Sequence, residues 1–416
     1  MAATRKNLRK AVVAACSLVG LNGAAAEATE IGSAVLFYTE PDRVSAVEAV
    51  VAGTHAFSSG HSANFKLVFD ALTGASANGA TPASFTQTFT RPSGAGSYQT
   101  GPAGTPLDDT FRDTRTAISG GGTLALNRMT SWQGGAYVST EHDYTSLGFN
   151  TSLVRDFHQR NTTVALRAAF FSDTISPEGG RPDPLASMAP VGAAQPRLQG
   201  DGNKDVMDLG LGVTRVLGRA TVAHLNYTFS KVQGYQTDPY KLVSQVDPVT
   251  GDPDDYLFEL RPTDRARHVL FGRVNHHLAR DVVSMSYRFL TDDWGIQSHT
   301  VDLTYRWNLS GDKYLRPHLR WYRQGAADFY RRFLVTGEAL PEAVSADYRL
   351  GDMTAWTVGL KHGRKVGGGH DLTVRLEYYL QTGDSQPEEA FGVLRDFDLF
   401  PDVSALIFQV GYSLDL

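Results

Sequence analysis

Residues 406–416 read LIFQVGYSLDL and form the clearest repeating pattern in the chain. Two sets of side chains alternate along this stretch: Leu406, Phe408, Val410, Tyr412, Leu414 and Leu416 interleave with Ile407, Gln409, Gly411, Ser413 and Asp415. A period of two places the two sets on opposite faces of one β-strand. Segments of about ten residues with one apolar and one polar face are typical of transmembrane β-barrels.

The same alternation recurs along most of the chain and predicts an all-β, antiparallel transmembrane barrel of the outer-membrane type. Twelve or fourteen strands also fit the pattern, because strand boundaries read from a sequence are uncertain by several residues. The preferred reading is sixteen strands, at 31–39, 43–57, 62–72, 116–127, 131–141, 144–156, 161–173, 205–217, 220–232, 266–278, 281–291, 297–309, 313–324, 351–363, 370–382 and 403–416.

The connections between these predicted strands differ in length in a regular way. Every long one follows an odd-numbered strand, and the opposite end of the barrel has only short turns. Outer-membrane barrels show this asymmetry, with long extracellular loops and short periplasmic turns. A soluble β-sandwich also alternates, but here the polar face carries Arg, Asp, His and Asn, which favours a wet lumen. The long connections are 73–115, 174–204, 233–265, 325–350 and 383–402.

The N-terminus has the composition of a cleaved export signal, residues 1–26. A basic region precedes an apolar stretch at 11–21 and a small-residue cleavage site at 24–26. A lipoprotein signal ending at Cys16 is the alternative, but only five apolar residues separate it from Lys10. We therefore expect a mature domain of 27–416 in the outer membrane of a Gram-negative envelope.

Cleavage at this site makes the chain more acidic and removes its only cysteine. Four positive charges and no acids are lost, so the formal charge changes from −5 to −9. The mature chain then has no disulfide and no thiolate ligand. A net acidic chain without a basic block is a poor binder of nucleic acid, and the expected surroundings are outer-membrane lipid.

Several stretches resemble a family of bacterial outer-membrane barrels known as domain of unknown function 3570. The resemblance implies an outer-membrane location and a β-barrel, and it implies no known activity. Members of that family are often encoded beside an FMN transferase, so a periplasmic FMN transferase and redox proteins are implied partners. The stretches are 70–80 (DALTGASANGA), 143–157 (DYTSLGFNTSLVRDF), 234–241 (GYQTDPYK), 287–299 (YRFLTDDWGIQSH), 314–322 and 327–330.

One motif resembles the acceptor sequence of periplasmic FMN transferases. That pattern is an Asp followed by Ser/Thr-Gly-Ala-Ser/Thr, with FMN joined to the last hydroxyl by a phosphoester. An acceptor needs an exposed hydroxyl on a flexible loop, and the hydroxyl here is Ser where Thr is usual. A strand that simply ends in a Gly/Ala/Ser loop is the alternative. The candidate cofactor-binding residues are Asp70, Thr73, Gly74, Ala75 and Ser76, with covalent FMN on Ser76.

Strand parity raises a topological difficulty for this motif. It places Ser76 in the first outer loop, whereas the transferase works in the periplasm. Either the residue is modified before the barrel inserts, or 31–39 is not a wall strand and the side of the loop is reversed.

Other catalytic and metal-binding patterns are weak. The sequence has no His-Glu-x-x-His and no Gly-x-Ser-x-Gly, so no catalytic residue is predicted and we expect no enzyme. Residues 201–205 begin like a calcium loop but lack its glycine, and Asp252, Asp254 and Asp255 are an ordinary acidic loop as much as a cation site. No metal ligand is assigned.

The polar face supplies a predicted lumen lining of both charges. Their near balance favours a partly filled lumen. The leading hypothesis is a pore or scaffold in an envelope redox or transport system, and the alternative is a flavinylated electron-transfer barrel. The lining residues are Lys66, Asp70, Arg167, His224, Asn226, Arg288, Asp302, Arg306, Arg375 and Glu377.

Overall fold

Sixteen antiparallel strands close into one barrel in the computed structural model, which describes residues 28–309 and 312–416. The predicted export signal, 1–26, and its lipoprotein alternative lie outside the described residues. The strands are β1 (Ala28–Thr39), β2 (Val44–Ala56), β3 (Ser62–Ala77), β4 (Leu107–Asn127), β5 (Thr130–Thr140), β6 (Tyr144–Phe157), β7 (Thr162–Ile175), β8 (Gly202–Gly218), β9 (Thr221–Gly234), β10 (Asp264–His277), β11 (Val282–Asp292), β12 (Gln297–Asn308), β13 (Lys313–Gln324), β14 (Met353–Gly367), β15 (His370–Gly383) and β16 (Val403–Asp415).

The first and last strands close the barrel. β1 pairs with β2 on one side and with β16 on the other, from Glu30 opposite Asp415 to Thr39 opposite Leu406. The predicted strand 31–39 is therefore part of the wall, and the count of sixteen is confirmed. Every strand consequently keeps the parity predicted from the sequence.

The two faces of the wall differ as the alternation predicts. In β3 the side chains of Phe65, Leu67 and Phe69 are 51%, 43% and 50% exposed on the outside, while Lys66 and Asp70 occupy the alternate positions and point inward. An apolar exterior of this kind is the lipid-facing surface of a transmembrane barrel. Within the described residues, no helix is long and apolar enough to cross a membrane.

The long connections all lie at one end of the barrel, but some are shorter than predicted. β3 continues to Ala77 and β4 begins at Leu107, so the predicted loop 73–115 contracts to 78–106. These extensions pair across a register shift between Gly74 and Ser76, an irregularity that interrupts the alternation by which strands are recognised. The long connections in the structure are 78–106, 176–201, 235–263, 325–352 and 384–402.

These five connections pack against one another into one folded layer, which we call the cap. Its centre is a three-stranded sheet of Leu242–Val246, Pro253–Phe258 and Phe333–Val335. Backbone bonds join the third connection to the second and the fourth, as from Leu260 N to Val344 O at 2.9 Å. The cap also has apolar cores of its own, because Phe89, Val243, Val246, Val344 and Leu394 are all 0% exposed.

The most specific stretch of the family resemblance, Thr291-Asp292-Asp293-Trp294-Gly295-Ile296, forms the turn between β11 and β12. The Asp292 carboxylate accepts from the backbone N–H of Trp294 and Ile296 at 3.1 and 2.9 Å. Gly295 takes a φ of +80°, which favours glycine. The Trp294 ring packs edge-on against Phe329 of the cap at 5.0 Å. This stretch therefore anchors the cap to the barrel.

The lipid-facing assignment predicts unequal costs for charge at two neighbouring positions of β9. Leu225 is 54% exposed on the outer face, and Asn226 points inward. Leu225→Arg is expected to lower the free energy of unfolding from lipid vesicles by about 2–4 kcal/mol near the bilayer midplane, because it places a cation in hydrocarbon. Asn226→Arg is the matched control and should cost less than about 1 kcal/mol. Equal losses in urea titrations of the two variants contradict the assignment.

Candidate functional site

The lumen is the first candidate site, and all of its predicted lining residues point inward. Each follows or precedes a large apolar side chain that is exposed on the outer face of the same strand. The alternation thus identified the lining correctly. The residues are Lys66, Asp70, Arg167, His224, Asn226, Arg288, Asp302, Arg306, Arg375 and Glu377.

Sequence reasoning missed the contribution of β10, β13 and β14 to this lining. Arg273, Arg316, Arg320 and Lys361 also occupy inward-facing positions, as does His318. The polar residues at alternate positions of 313–324 indicate an inward-facing set, but the prediction for that segment is limited to a strand. With these residues added, the inward-facing charges of β12–β15 are mostly positive, and the acids among them are Asp302, Asp371 and Glu377.

Water reaches part of this lining. The side chains of Arg273 and Arg316 are exposed to solvent although both point into the barrel. An inward-facing side chain gains such exposure only where the lumen leaves space beside it. The barrel is therefore not completely filled at this level.

His318 of β13 links two carboxylates, Asp302 of β12 and Glu377 of β15. Its Nε2 lies 2.9 Å from Asp302 Oδ2 and its Nδ1 lies 2.8 Å from Glu377 Oε1. A neutral imidazole has a single N–H, so satisfying two ionised carboxylates requires the doubly protonated ring. Because both nitrogens are engaged, neither is free to activate a nucleophile. The arrangement is a cross-link of the wall and not a catalytic dyad.

The predicted FMN acceptor lies in the wall and not on a loop. Ser76 belongs to β3, where it pairs with Asp108 of β4, and its side chain is partly buried. The predicted strand end at 72 is therefore wrong by five residues. The chemical requirement for a hydroxyl on a flexible loop is not met in the folded barrel.

The other residues of this motif have structural contacts. Asp70 is fully buried and its Oδ2 lies 2.7 Å from Arg115 Nε. Ala75 donates its N–H to Arg43 O at 3.0 Å. Gly74 has a φ of +136°, and a Cβ there would meet Arg43 O at 2.0 Å, so glycine is required. Thr73 is exposed on the outer face.

The aspartates that suggested a calcium site are separated by their partners. Within the parts of the chain that the structure describes, no group of three or more His, Cys, Asp or Glu side chains is placed to hold a metal. The three carboxylates instead tie the third connection to three others. Asp252 accepts from Ser84, Asp254 from Thr336 and Asp255 from Ser187, at 2.7, 2.9 and 2.5 Å.

An acidic cleft of about 420 Å³ lies where the cap meets β10 and β11. Its walls include Asp264, Asp293, Asp328 and Glu342, with Arg331 as a counter-charge. Asp264 is already paired with Lys231 at 3.0 Å, and Asp293 accepts from the backbone N–H of Ala266 at 2.9 Å. These contacts give the acids structural partners, so we assign no ligand to the cleft.

A buried ionic network holds the third and fourth connections together at the base of the cap. We call it the latch, and it joins three acids to three cations. Arg261 lies 2.6 Å from Glu259 and 2.8 Å from Asp347, and Arg349 lies 2.8 Å from Asp238. Arg349 also forms a bidentate pair with Asp347. The sixth member, Lys241, donates to the carbonyl of Ala77 at the end of β3.

Charge compensation decides the protonation of two acids of the latch, Asp347 and Asp238. Burial alone would raise the pKa of Asp347, but the charges of Arg349 and Arg261 outweigh it and hold that pKa well below its ordinary value. The same competition lowers the pKa of Asp238, where Lys241 is the largest opposing charge. Both acids are therefore ionised near neutral pH. The latch was not predicted, because its members come from connections that pair only in the folded cap.

The latch predicts that the cap depends strongly on Arg349. Arg349→Ala leaves Asp347 and Asp238 buried with less compensation, so we expect the free energy of cap opening to fall by about 3–5 kcal/mol. Native-state proteolysis of the protein in lipid vesicles measures this opening. The control is Arg323→Ala, which breaks an exposed 2.8 Å pair with Asp352 and should cost about 0–1 kcal/mol. Equal protection in the two variants argues against the latch.

Several solved structures show partial similarity to this chain. They include the TodX monoaromatic hydrocarbon channel deltaS2 mutant, 11% identical, with 94% of this chain and 90% of that chain covered and a TM-score of 0.42. The outer membrane protein opdK from Pseudomonas aeruginosa is 8% identical, with coverages of 94% and 99% and a TM-score of 0.39. The siderophore receptor PirA from Acinetobacter baumannii is 9% identical, with coverages of 85% and 53% and a TM-score of 0.42.

The sequence comparisons agree with the resemblance seen in the motifs. No curated protein matches the chain. The family described as "Protein of unknown function (DUF3570)" matches residues 8–414, which is nearly the whole chain. The chain belongs to that family.

Proposed function

We propose that this protein is an outer-membrane pore for small polar solutes, serving a transport or redox system of the cell envelope. The observation that carries the proposal is a closed barrel with an apolar exterior and a charged lumen in which Arg273 and Arg316 are exposed to water. In a closed barrel every strand has hydrogen-bonding neighbours on both sides. A lipid environment requires this, because no water is present to replace a missing partner. An interior of charged groups with space between them suits the passage of hydrated solutes.

The cap controls the access of solutes to this pore. It covers the end of the barrel where the long connections meet, and the latch ties two of those connections to the end of β3. A pore with such a cap passes solutes through gaps between the connections or after the cap loosens. If the cap stays closed, the barrel instead serves as a scaffold for other envelope proteins.

Planar-bilayer recording tests the pore. We expect discrete conductance steps from purified, folded protein, and larger or more frequent steps from the Arg349→Ala variant, because its cap opens more easily. Arg323→Ala should behave as the unaltered protein. A barrel that remains silent in all three forms contradicts the pore and favours the scaffold.

The alternative proposal is an electron-transfer barrel with FMN covalently attached at Ser76. Its support is the Asp-x-x-Thr-Gly-Ala-Ser pattern at 70–76. Because Ser76 is paired within β3, attachment has to precede folding of the barrel, while the chain is still unfolded in the periplasm. Modification before folding also resolves the topological difficulty, because the unfolded chain is accessible to a transferase in the periplasm even if Ser76 later lies at the outer end of the barrel.

Intact-mass measurement after co-expression with a periplasmic FMN transferase tests the alternative. The flavin carrier predicts a mass gain of one FMN minus water that is absent from Ser76→Ala. Thr73→Ala is the matched control and should retain the gain, since Thr73 is not the acceptor. An unchanged mass with a transferase that modifies its own substrate rules out the carrier.

A further inference from the structure

Four basic residues form a row across adjacent strands on the inner face of the barrel. Arg316 of β13 lies directly opposite Lys361 of β14, and Lys361 lies directly opposite Arg375 of β15. Arg306 of β12 is close enough to Arg316 for the two charges to interact. We call these four residues the basic row. They all point inward, because their sequence neighbours Trp307, Leu360 and Leu376 are exposed on the outer face.

The basic row is unfavourable for folding by itself. Like charges directly opposite one another on neighbouring strands destabilise a sheet. Lys361 interacts repulsively with Arg316, Arg375 and Arg306, and the attraction of Asp371 of β15 offsets this only in part. A fold that retains such a row gains nothing in stability from it.

The acids nearby do not neutralise the basic row. Glu377 comes within 3.7 Å of Arg375, but it is also bound to His318 at 2.8 Å. Asp302 is likewise bound to His318, and it lies 4.0 Å from Arg320 outside the row. Among the described residues, no carboxylate forms an ion pair within 4.0 Å of Lys361 or Arg316, although Asp371 acts on Lys361 and Asp302 acts on Arg316 from farther away.

Neutral contacts occupy only part of the donors in the row. Arg316 Nη2 donates to Thr304 Oγ1 at 3.3 Å, and Arg306 lies over the ring of Tyr314 at 3.7 Å and donates to Asn308. The buried Nε of Arg375 has no hydrogen-bond partner. Arg316, whose side chain is exposed, therefore keeps N–H groups available to water in the lumen.

The opposite part of the wall is different. At the corresponding region β3–β6 present Asn64, Gly121, Gly135 and Asn150 inward, in direct cross-strand register. These positions are small or uncharged, so this part of the lining contributes no negative charge there.

We propose that the basic row is a binding site for small oxyanions, carboxylates or phosphates, within the lumen. Guanidinium groups bind both anions through paired N–H···O bonds, and the Lys361 ammonium adds a point charge. An anion seated there removes the repulsion between the four cations. The site gives the proposed pore its substrate class, and to that extent it rests on the proposed function.

Anion binding to the folded protein tests the site without requiring conduction. Citrate and inorganic phosphate, titrated calorimetrically into the detergent-solubilised protein, should bind and should compete with each other. Lys361→Gln and Arg316→Gln are each expected to weaken binding about tenfold or more, since a charged hydrogen-bonding group is lost. Arg364→Gln, on the same strand but exposed and pointing outward, is the matched control and should bind as the unaltered protein does.

Two further readouts separate the site from the pore. Urea unfolding of Lys361→Gln should show stability equal to or greater than that of the parent, because a repulsive charge has been removed. If the barrel conducts, its reversal potential in a KCl gradient should show anion preference that falls in Lys361→Gln and not in Arg364→Gln. Binding without conduction supports the site and rejects the pore. Absent binding, or binding equal in all variants, overturns the site even if the barrel conducts.

Discussion

Pairing of the first strand with the last is the constraint on which the rest of this structure depends. β1 and β16 run antiparallel over the whole of their shared length, so the wall has no free edge. In a bilayer an unpaired backbone group costs several kcal/mol, because no water is present to replace the missing partner. Closure fixes which residues face lipid and which face the lumen, since side chains alternate along each strand except at a few register shifts. It also fixes the end of the barrel at which every long connection emerges.

The cap and the lumen use charge in opposite ways. In the latch, three acids and three cations are buried together, and their mutual attraction offsets the cost of removing them from water. In the basic row, like charges lie beside one another on adjacent strands, and water in the lumen reaches part of the row. Paired charges hold the cap closed, whereas the basic row is only partly compensated and, in our proposal, binds a solute. This contrast is the basis of the anion site that we propose.

Much of the barrel was predictable from the sequence, because a period of two is visible in single strands. The sixteen strands, their parity and the inward direction of residues such as Arg375 and Asp302 all follow from that period. The end of β3 was misplaced because a register shift between Gly74 and Ser76 interrupts the alternation. That one error moved Ser76 from a strand to a loop.

The cap and the basic row were not predictable in the same way. The latch joins Asp238 to Arg349, residues far apart in the sequence, and no local pattern marks such a contact. The basic row depends on which residues stand opposite one another. Register between strands is set by the whole closed wall, so Arg316, Lys361 and Arg375 become neighbours only in the assembled barrel.

The most direct measurement of a water-filled lumen is the labelling of single cysteines by a charged, membrane-impermeant thiol reagent. Adjacent positions in β10 provide the comparison, because Arg273 points into the barrel and Val274, 44% exposed, points to the lipid. In a background with Cys16 removed, Arg273→Cys in lipid vesicles is predicted to react rapidly and Val274→Cys hardly at all. Rapid labelling of Val274→Cys together with protection of Arg273→Cys would contradict the account.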